Sequence, residues 1–183
     1  MEQTQKQRML ASQLYHASDP EIQADQQSAK AWMVRYNAAL GATADERREL
    51  LRERLAAVGD GAVIRPPFHC DYGYNITLGA DVFLNFNCVI LDVVAVSIGA
   101  GTQIGPAVQI YTADHPRDPE VRRSGAEFGQ PIAIGRNVWI GGGAIILPGV
   151  RIDDDAIIGA GSIVTRDVPR GATALGNPAR VRG

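Results

Sequence analysis

One imidazole, His115, stands between Ala113-Asp114 and Pro116 in the polar run YTADHPRDPEVRRSGAEFGQP that extends from Tyr111 to Pro131. An imidazole, with an ordinary pKa of about 6.5, is the side chain best matched to taking a proton at neutral pH. His115 is therefore a candidate general base, and the competing reading is a solvated loop histidine. Asn85, Asp71 and Asp92 are further candidates, because each is polar in or beside stretches where apolar residues are cheaper to bury; an unpaired buried polar group costs about 1–3 kcal/mol. Asn and Asp also serve simply as corner residues. Glu127, in the same run as His115, is placed to orient the imidazole or to sit solvated at the surface. The histidines at 16, 69 and 115 and the cysteines at 70 and 88 have no metal-ligand spacing. Gly99–Gly105, Gly141–Gly143 and Gly159–Gly161 resemble phosphate loops but lack the strand-to-helix setting that such loops need.

These residues hang on a six-residue repeat. Counting from Ile134 finds Ile140, Ile146, Ile152, Ile158 and Val164, and counting backward finds Ile110, Ile104 and Ile98, with a second phase at Leu78, Leu84 and Ile90. Four residues after the aliphatics from Ile134 onward come Val138, Ala144, Val150, Ala156, Ser162 and Val168, all small or β-branched. A helix needs period 3.6 and a hairpin meander needs alternation with two-residue turns, so neither fits. A strict six describes a short strand plus a corner, and three such units close a triangular coil of about 18 residues, a parallel β-helix. Cys70 and Cys88, 18 apart, are expected one above the other as small, reduced core residues. The repeat breaks by two residues around Asp92 to Val96 and by the 111–131 excursion, which returns the chain to phase because Ile110 and Ile134 are 24 apart. Breaks in a solenoid are where side chains leave the stack.

Residues 1–58 differ in composition, with a single glycine, Gly41. Leu10, Leu14, Trp32, Met33, Tyr36 and Leu40 recur at helical spacing. Asp19-Pro20 reads as an N-cap with Pro at the first helical position, Gly41 as the exit residue after Leu40, and Thr43 with Glu46 as a capping box. The spacing predicts three short helices that cap the sheet edge or close over a substrate. The whole chain has 18 Lys and Arg against 20 Asp and Glu, a formal net charge of −2, which gives no footprint for nucleic acid or an anionic membrane surface. No apolar run approaches the length of a membrane span, and the polar start has no apolar leader region, so a cytoplasmic protein is expected.

FHCDYGYNI (68–76), NFN (85–87), YTADHP (111–116), GRNVWIGGGAIILPGV (135–150), GAGSIVTRDVP (159–169) and GNPAR (176–180) resemble the hexapeptide-repeat sugar O-acetyltransferases, the family that includes maltose, galactoside and nodulation acetyltransferases. The likeness is nearest to the maltose type and covers essentially the whole chain. It implies a left-handed parallel β-helix over 59–183 behind a helical acceptor and cap segment over 1–58, a homotrimer with active sites between subunits, and acetyl-CoA as donor with no metal. It also implies that His115 is the general base with Asn85 in support, and that Asp71, Asn85 and Asp92 meet the acceptor. Trp139, Gly142, Ala160, Thr165, Arg166 and Arg180 would hold the donor, with Arg182 as a further phosphate contact. Position 17 is Ala where galactoside members carry an acceptor carboxylate, with Asp19 the nearby acid; the chain also ends at Gly183, sooner than the galactoside enzymes.

The expected reaction moves an acetyl group to a hydroxyl of a small sugar of the maltose or glucose kind, by direct attack assisted by His115. Three other readings stay open: a CoA-dependent acetyltransferase with a xenobiotic or other non-sugar acceptor, a non-catalytic β-helix scaffold, and a zinc hydratase, which needs one more converging histidine than this chain offers.

Overall fold

The computed structural model describes residues 3–182. From residue 57 onward the chain winds as a three-sided parallel β-helix. One face stacks Ala57–Val58, Ile76–Leu78, Val96–Ile98, Ile132–Ile134 and Arg151–Ile152. The second stacks Val63–Ile64, Phe83–Leu84, Gln103–Ile104, Trp139–Ile140 and Ile157–Ile158, and is closed by the antiparallel pair Thr173–Gly176 and Ala179–Arg182. The third stacks Phe68–Cys70, Cys88–Leu91, Gln109–Tyr111, Ile145–Ile146 and Ile163–Val164.

The hexad explains this winding. Ile134, Ile140, Ile146, Ile152, Ile158 and Val164 are each 3% exposed or less and point into one continuous core, where each aliphatic contributes about 1.5–3 kcal/mol of burial. Ile110 lies beside Ile146 and Ile134 beside Ile98, so the register survives the long excursion as the spacing requires. Three residues after the inward aliphatic the backbone turns through positive φ, and one corner carries Gly61, Asp81, Gly101, Asn137 and Asp155 there, residue types that tolerate this conformation.

Cys70 and Cys88 do not stack on each other. Cys88 pairs with Phe68 and Cys70 with Ile90, because the first coils advance by 20 residues. The extra pair of residues recurs: once at 92–95, as the spacing predicts, and once at 71–75, which the spacing did not reveal. Both lie at the corner between the third and first faces. The 111–131 excursion leaves from this corner too.

Three helices precede the coils: α1 (Gln5–Leu10), α2 (Pro20–Ala38) and α3 (Ala44–Arg52). The Asp19 carboxylate accepts the Glu21 N–H and the Thr43–Glu46 capping box is made. Helix α2 stops at Ala38, short of Gly41. Its buried Trp32 and Tyr36 cover the first coil, the Tyr36 hydroxyl donating to the Ile64 carbonyl at 2.6 Å and Asn37 bonding both backbone groups of Phe68. Leu10, Leu14 and Leu40 are exposed, contrary to the apolar stripe; Met9 and Tyr15 are buried in their place, in a second small core with Ile22, Tyr72, Val93 and Val94. The excursion is itself ordered: Tyr15–His16, Ala126–Gly129 and Ala113–Asp114 form a three-stranded sheet, and α4 (Pro119–Arg123) fills the turn. No helix among the described residues is long and apolar enough to cross a membrane.

A Cβ on Gly141 would sit 2.5 Å from the backbone nitrogen of Ala160 in the next coil, whereas one on Gly143, at φ +69, would meet nothing within 4 Å. Gly141→Ala should therefore destabilise by about 2–3 kcal/mol through overpacking, and Gly143→Ala by only about 1 kcal/mol for its left-handed backbone. Urea unfolding of the two variants checks that order.

Candidate active site

The corner between the third and first faces gathers the acids. Asp92 is fully buried, and its carboxylate accepts N–H groups from Asp71 (3.0 Å) and Tyr72 (2.9 Å) on one oxygen and from Gly73 (2.7 Å) and Asn75 (3.3 Å) on the other. The Asn75 side-chain amide donates to the Asp92 carbonyl at 2.7 Å. Burial pushes Asp92 up to about 7, against the pull of the backbone donors and with the Asp71 charge adding to the rise. With both oxygens engaged, Asp92 holds the 71–75 loop in shape.

Asp71, on that loop, is partly buried, and burial together with the neighbouring Glu127 pushes its carboxyl up to about 6. Glu127 lies on Ala126–Gly129, directly opposite Tyr15 in the antiparallel register. Its carboxylate is 3.9 Å from His115 Nε2, and the imidazole is 58% exposed. A clasp fixes the backbone at this histidine. The Asp114 carboxylate accepts the His115 N–H (2.8 Å) and both Arg117 guanidinium nitrogens (2.7 and 2.9 Å), and Arg117 also donates to the His115 carbonyl (2.7 Å). Such bidentate, charge-assisted contacts fix geometry as well as adding energy.

Asn85, Gly142 and Ala160 lie elsewhere, on the corner between the second and third faces. Asn85 Oδ1 accepts the Phe86 N–H at 2.9 Å, which leaves Nδ2 as the donor end. Asn85 and Trp139, the latter 59% exposed, line a shallow groove of about 190 Å³ with Phe83, Gln103 and Gly105. Along this corner Gly143 and Gly161 open to space, so the backbone is bare to an approaching ligand. Arg166 and Arg180 line another groove of about 190 Å³ over an apolar floor of Val164, Val168 and Ala174. Thr165 is exposed beside Arg166, and Arg182 is exposed at the end of the last strand. Two cations above an apolar floor suit a phosphate-bearing ligand.

Within one chain the predicted residues thus form separate groups. His115, Asp71 and Glu127 stand at one edge of the third face, and Asn85, Trp139, Gly142 and Ala160 at the other. About six residues of extended chain, on the order of 20 Å, separate Asn85 from the His115 edge. A cavity of about 450 Å³ beneath α3, lined by Leu40, Leu51, Ile64, Arg65 and Phe86 among others, contains none of the predicted residues. Among the described residues no group of three or more His, Cys, Asp and Glu side chains is arranged to hold a metal ion. Sequence reasoning missed Tyr15, whose hydroxyl is buried without a hydrogen-bond partner, and Asn75. Both lie outside the hexads, so periodicity carried no signal for either.

Residues 8–59 match the maltose acetyltransferase hexapeptide capping motif, and residues 131–166 match six repeats of the bacterial transferase hexapeptide. The chain is 65% identical over 183 residues to nodulation protein L of Rhizobium meliloti (strain 1021), covering 100% of both. A maltose O-acetyltransferase from Clostridium difficile 630 superposes with a TM-score of 0.96 at 43% identity, over 98% of this chain and 96% of that one. A galactoside acetyltransferase in complex with coenzyme A gives 0.94 at 36% identity, over 100% and 91%.

Asp71 and Asp92, both raised above the ordinary carboxylate range, bind more protons in the folded than in the unfolded chain between about pH 4 and 7. Stability should therefore be fully present below about pH 4 and decline as pH rises through 6 to 7. Asp71→Asn should flatten that decline by on the order of 2 kcal/mol, measured by thermal unfolding at half-unit pH steps.

Proposed function

Because the chain belongs to the hexapeptide-repeat sugar O-acetyltransferase family, acetyl-CoA-dependent enzymes built on a left-handed β-helix, we propose that it acetylates a hydroxyl of a small sugar of the maltose or glucose kind by direct attack. The observation that carries this reading is the exposed His115 imidazole, set on the Asp114–Arg117 clasp with Glu127 at 3.9 Å and Asp71 close to Glu127. Acetyl-CoA supplies an activated acetyl thioester. His115 takes the proton from the acceptor hydroxyl as that oxygen attacks, and later returns it to the departing sulfur. General-base help of this kind is worth about 10²–10⁴-fold. The Asn85 amide or a backbone N–H near Gly142 faces the developing oxyanion, worth about 10²–10³-fold per donor. No covalent enzyme intermediate is required.

Asp71 binds the acceptor, with Asp92 fixing the Asp71 loop. Trp139, Gly142 and Ala160 border the thioester and its slender arm, while Thr165, Arg166 and Arg180, with Arg182 beyond them, bind the phosphate end. The separation of Asn85 from His115 supports a homotrimer in which the His115 edge of one protomer meets the Asn85 edge of its neighbour. Exposed Trp139 and Phe86, at 59% and 45%, give that edge apolar surface to bury.

His115→Ala should lower kcat about 10²–10⁴-fold with glucose or maltose as acceptor; near-normal turnover removes His115 from the chemistry. Arg180→Ala should raise the KM for acetyl-CoA about tenfold at unchanged kcat, because a remote phosphate anchor holds ground and transition states alike. Steady-state thiol-release assays read both.

A further inference from the structure

Tyr15 is 1% exposed, and its hydroxyl has no hydrogen-bond partner. Buried polar groups are almost always paired, so an orphaned donor held in a packed core calls for a physical reason. Its surroundings supply one. Tyr15 and Glu127 are direct partners across the antiparallel ladder, so their side chains leave on the same face with Cβ atoms about 5 Å apart. The Glu127 carboxylate faces two donors at once, the Tyr15 hydroxyl on one side and His115 Nε2, at 3.9 Å, on the other. The His115 contact, at 3.9 Å, is longer than a hydrogen bond. Both contacts close through rotation of one flexible carboxylate.

We propose that Tyr15 is a positioning residue for the transfer reaction, its hydroxyl donating to Glu127 and holding that carboxylate against His115 while the imidazole carries the abstracted proton. The network has two donors and one acceptor group with two oxygens: with Nε2–H turned toward Glu127, Nδ1 is the nitrogen left to take the proton. An interaction that strengthens as the imidazole becomes charged raises kcat and leaves substrate affinity alone. Burial and the charges of Glu127 and Asp71 raise the Tyr15 hydroxyl above its ordinary range, so it remains a neutral donor throughout the working pH range. A phenylalanine would fill the same core space among Met9, Ile22 and Tyr72, so packing alone does not account for the oxygen.

This inference rests on His115 acting as the base in the proposed function, and its test separates the two. Tyr15→Phe, Glu127→Ala and the double variant are compared with wild type by glucose- or maltose-dependent acetyl transfer, by slow acetyl-CoA hydrolysis without a sugar, and by thermal unfolding. Tyr15→Phe should lower kcat and the hydrolysis rate alike by about tenfold, with both KM values within about twofold and an undiminished Tm. On the Glu127→Ala background the same substitution should change the rates by less than about twofold, because the residue it acts through is gone. Wild-type rates in Tyr15→Phe, an equal loss on both backgrounds, or a loss that tracks a lowered Tm each overturn the proposal. Wild type that hydrolyses acetyl-CoA but acetylates neither sugar overturns the sugar acceptor alone, and the hydrolysis rates still decide the role of Tyr15.

Discussion

Each coil of this β-helix runs so close to the next that the backbone of one occupies the space where a corner side chain of its neighbour would be. At Gly59, Gly79, Gly99, Gly105, Gly135 and Gly141 an added Cβ would lie within 2.6 Å of the following coil's backbone. That approach lets the parallel ladders form on all three faces, and the ladders set the register of everything the corners carry. Material can be added only where it does not separate the coils. The three additions, at 71–75, 92–95 and 111–131, all leave from one corner, on successive coils. Stacking therefore converts three segments distant in sequence into one continuous edge.

On that edge a single carboxylate organises the rest. Asp92 receives four backbone N–H groups from the coil before it, and each of those donors would otherwise be a buried amide without a partner. The desolvation of the charge and the pairing of the amides offset one another, so the loop is fixed by an interaction that is costly to break rather than strongly stabilising in itself. Asp71 is carried on the loop thus fixed, and its burial near Glu127 is what raises it to about 6. Glu127 is placed by strand pairing with Tyr15–His16, which links the helical segment to the excursion that bears His115. The helical segment is thereby a structural part of the site.

The repeat was legible because an inward aliphatic every six residues leaves no freedom: any other residue there would bury polarity or open a cavity. The corner pattern of Gly, Asn and Asp three residues later follows equally from conformational preference. The slip at 71–75 was invisible because it falls between two segments that each keep the phase, and the Cys70–Cys88 stacking failed with it. Leu10, Leu14 and Leu40 misled because hydrophobic spacing reports a stripe without saying what covers it; in a single chain these three remain exposed. His115 was found by chemistry, since it is the one histidine on a segment that leaves the stack. Tyr15 could not be found that way. Its significance lies in a missing hydrogen bond, a property of three-dimensional packing alone.

A β-helix is filled with side chains, so its core cannot hold a substrate. Chemistry has only the faces and corners to use, and on a triangular prism two corners that bound one face point in diverging directions. Here His115, Asp71 and Glu127 occupy one such corner, while the bare glycine edge and Asn85 occupy the other. One protomer cannot fold these together, because the third face between them is held flat by its ladder and its inward aliphatics. Opposed edges of two copies can meet without either changing shape. The proposed trimer follows from the rigidity of the coil rather than from any particular contact: the feature that makes the scaffold precise also keeps the site from closing within a single chain.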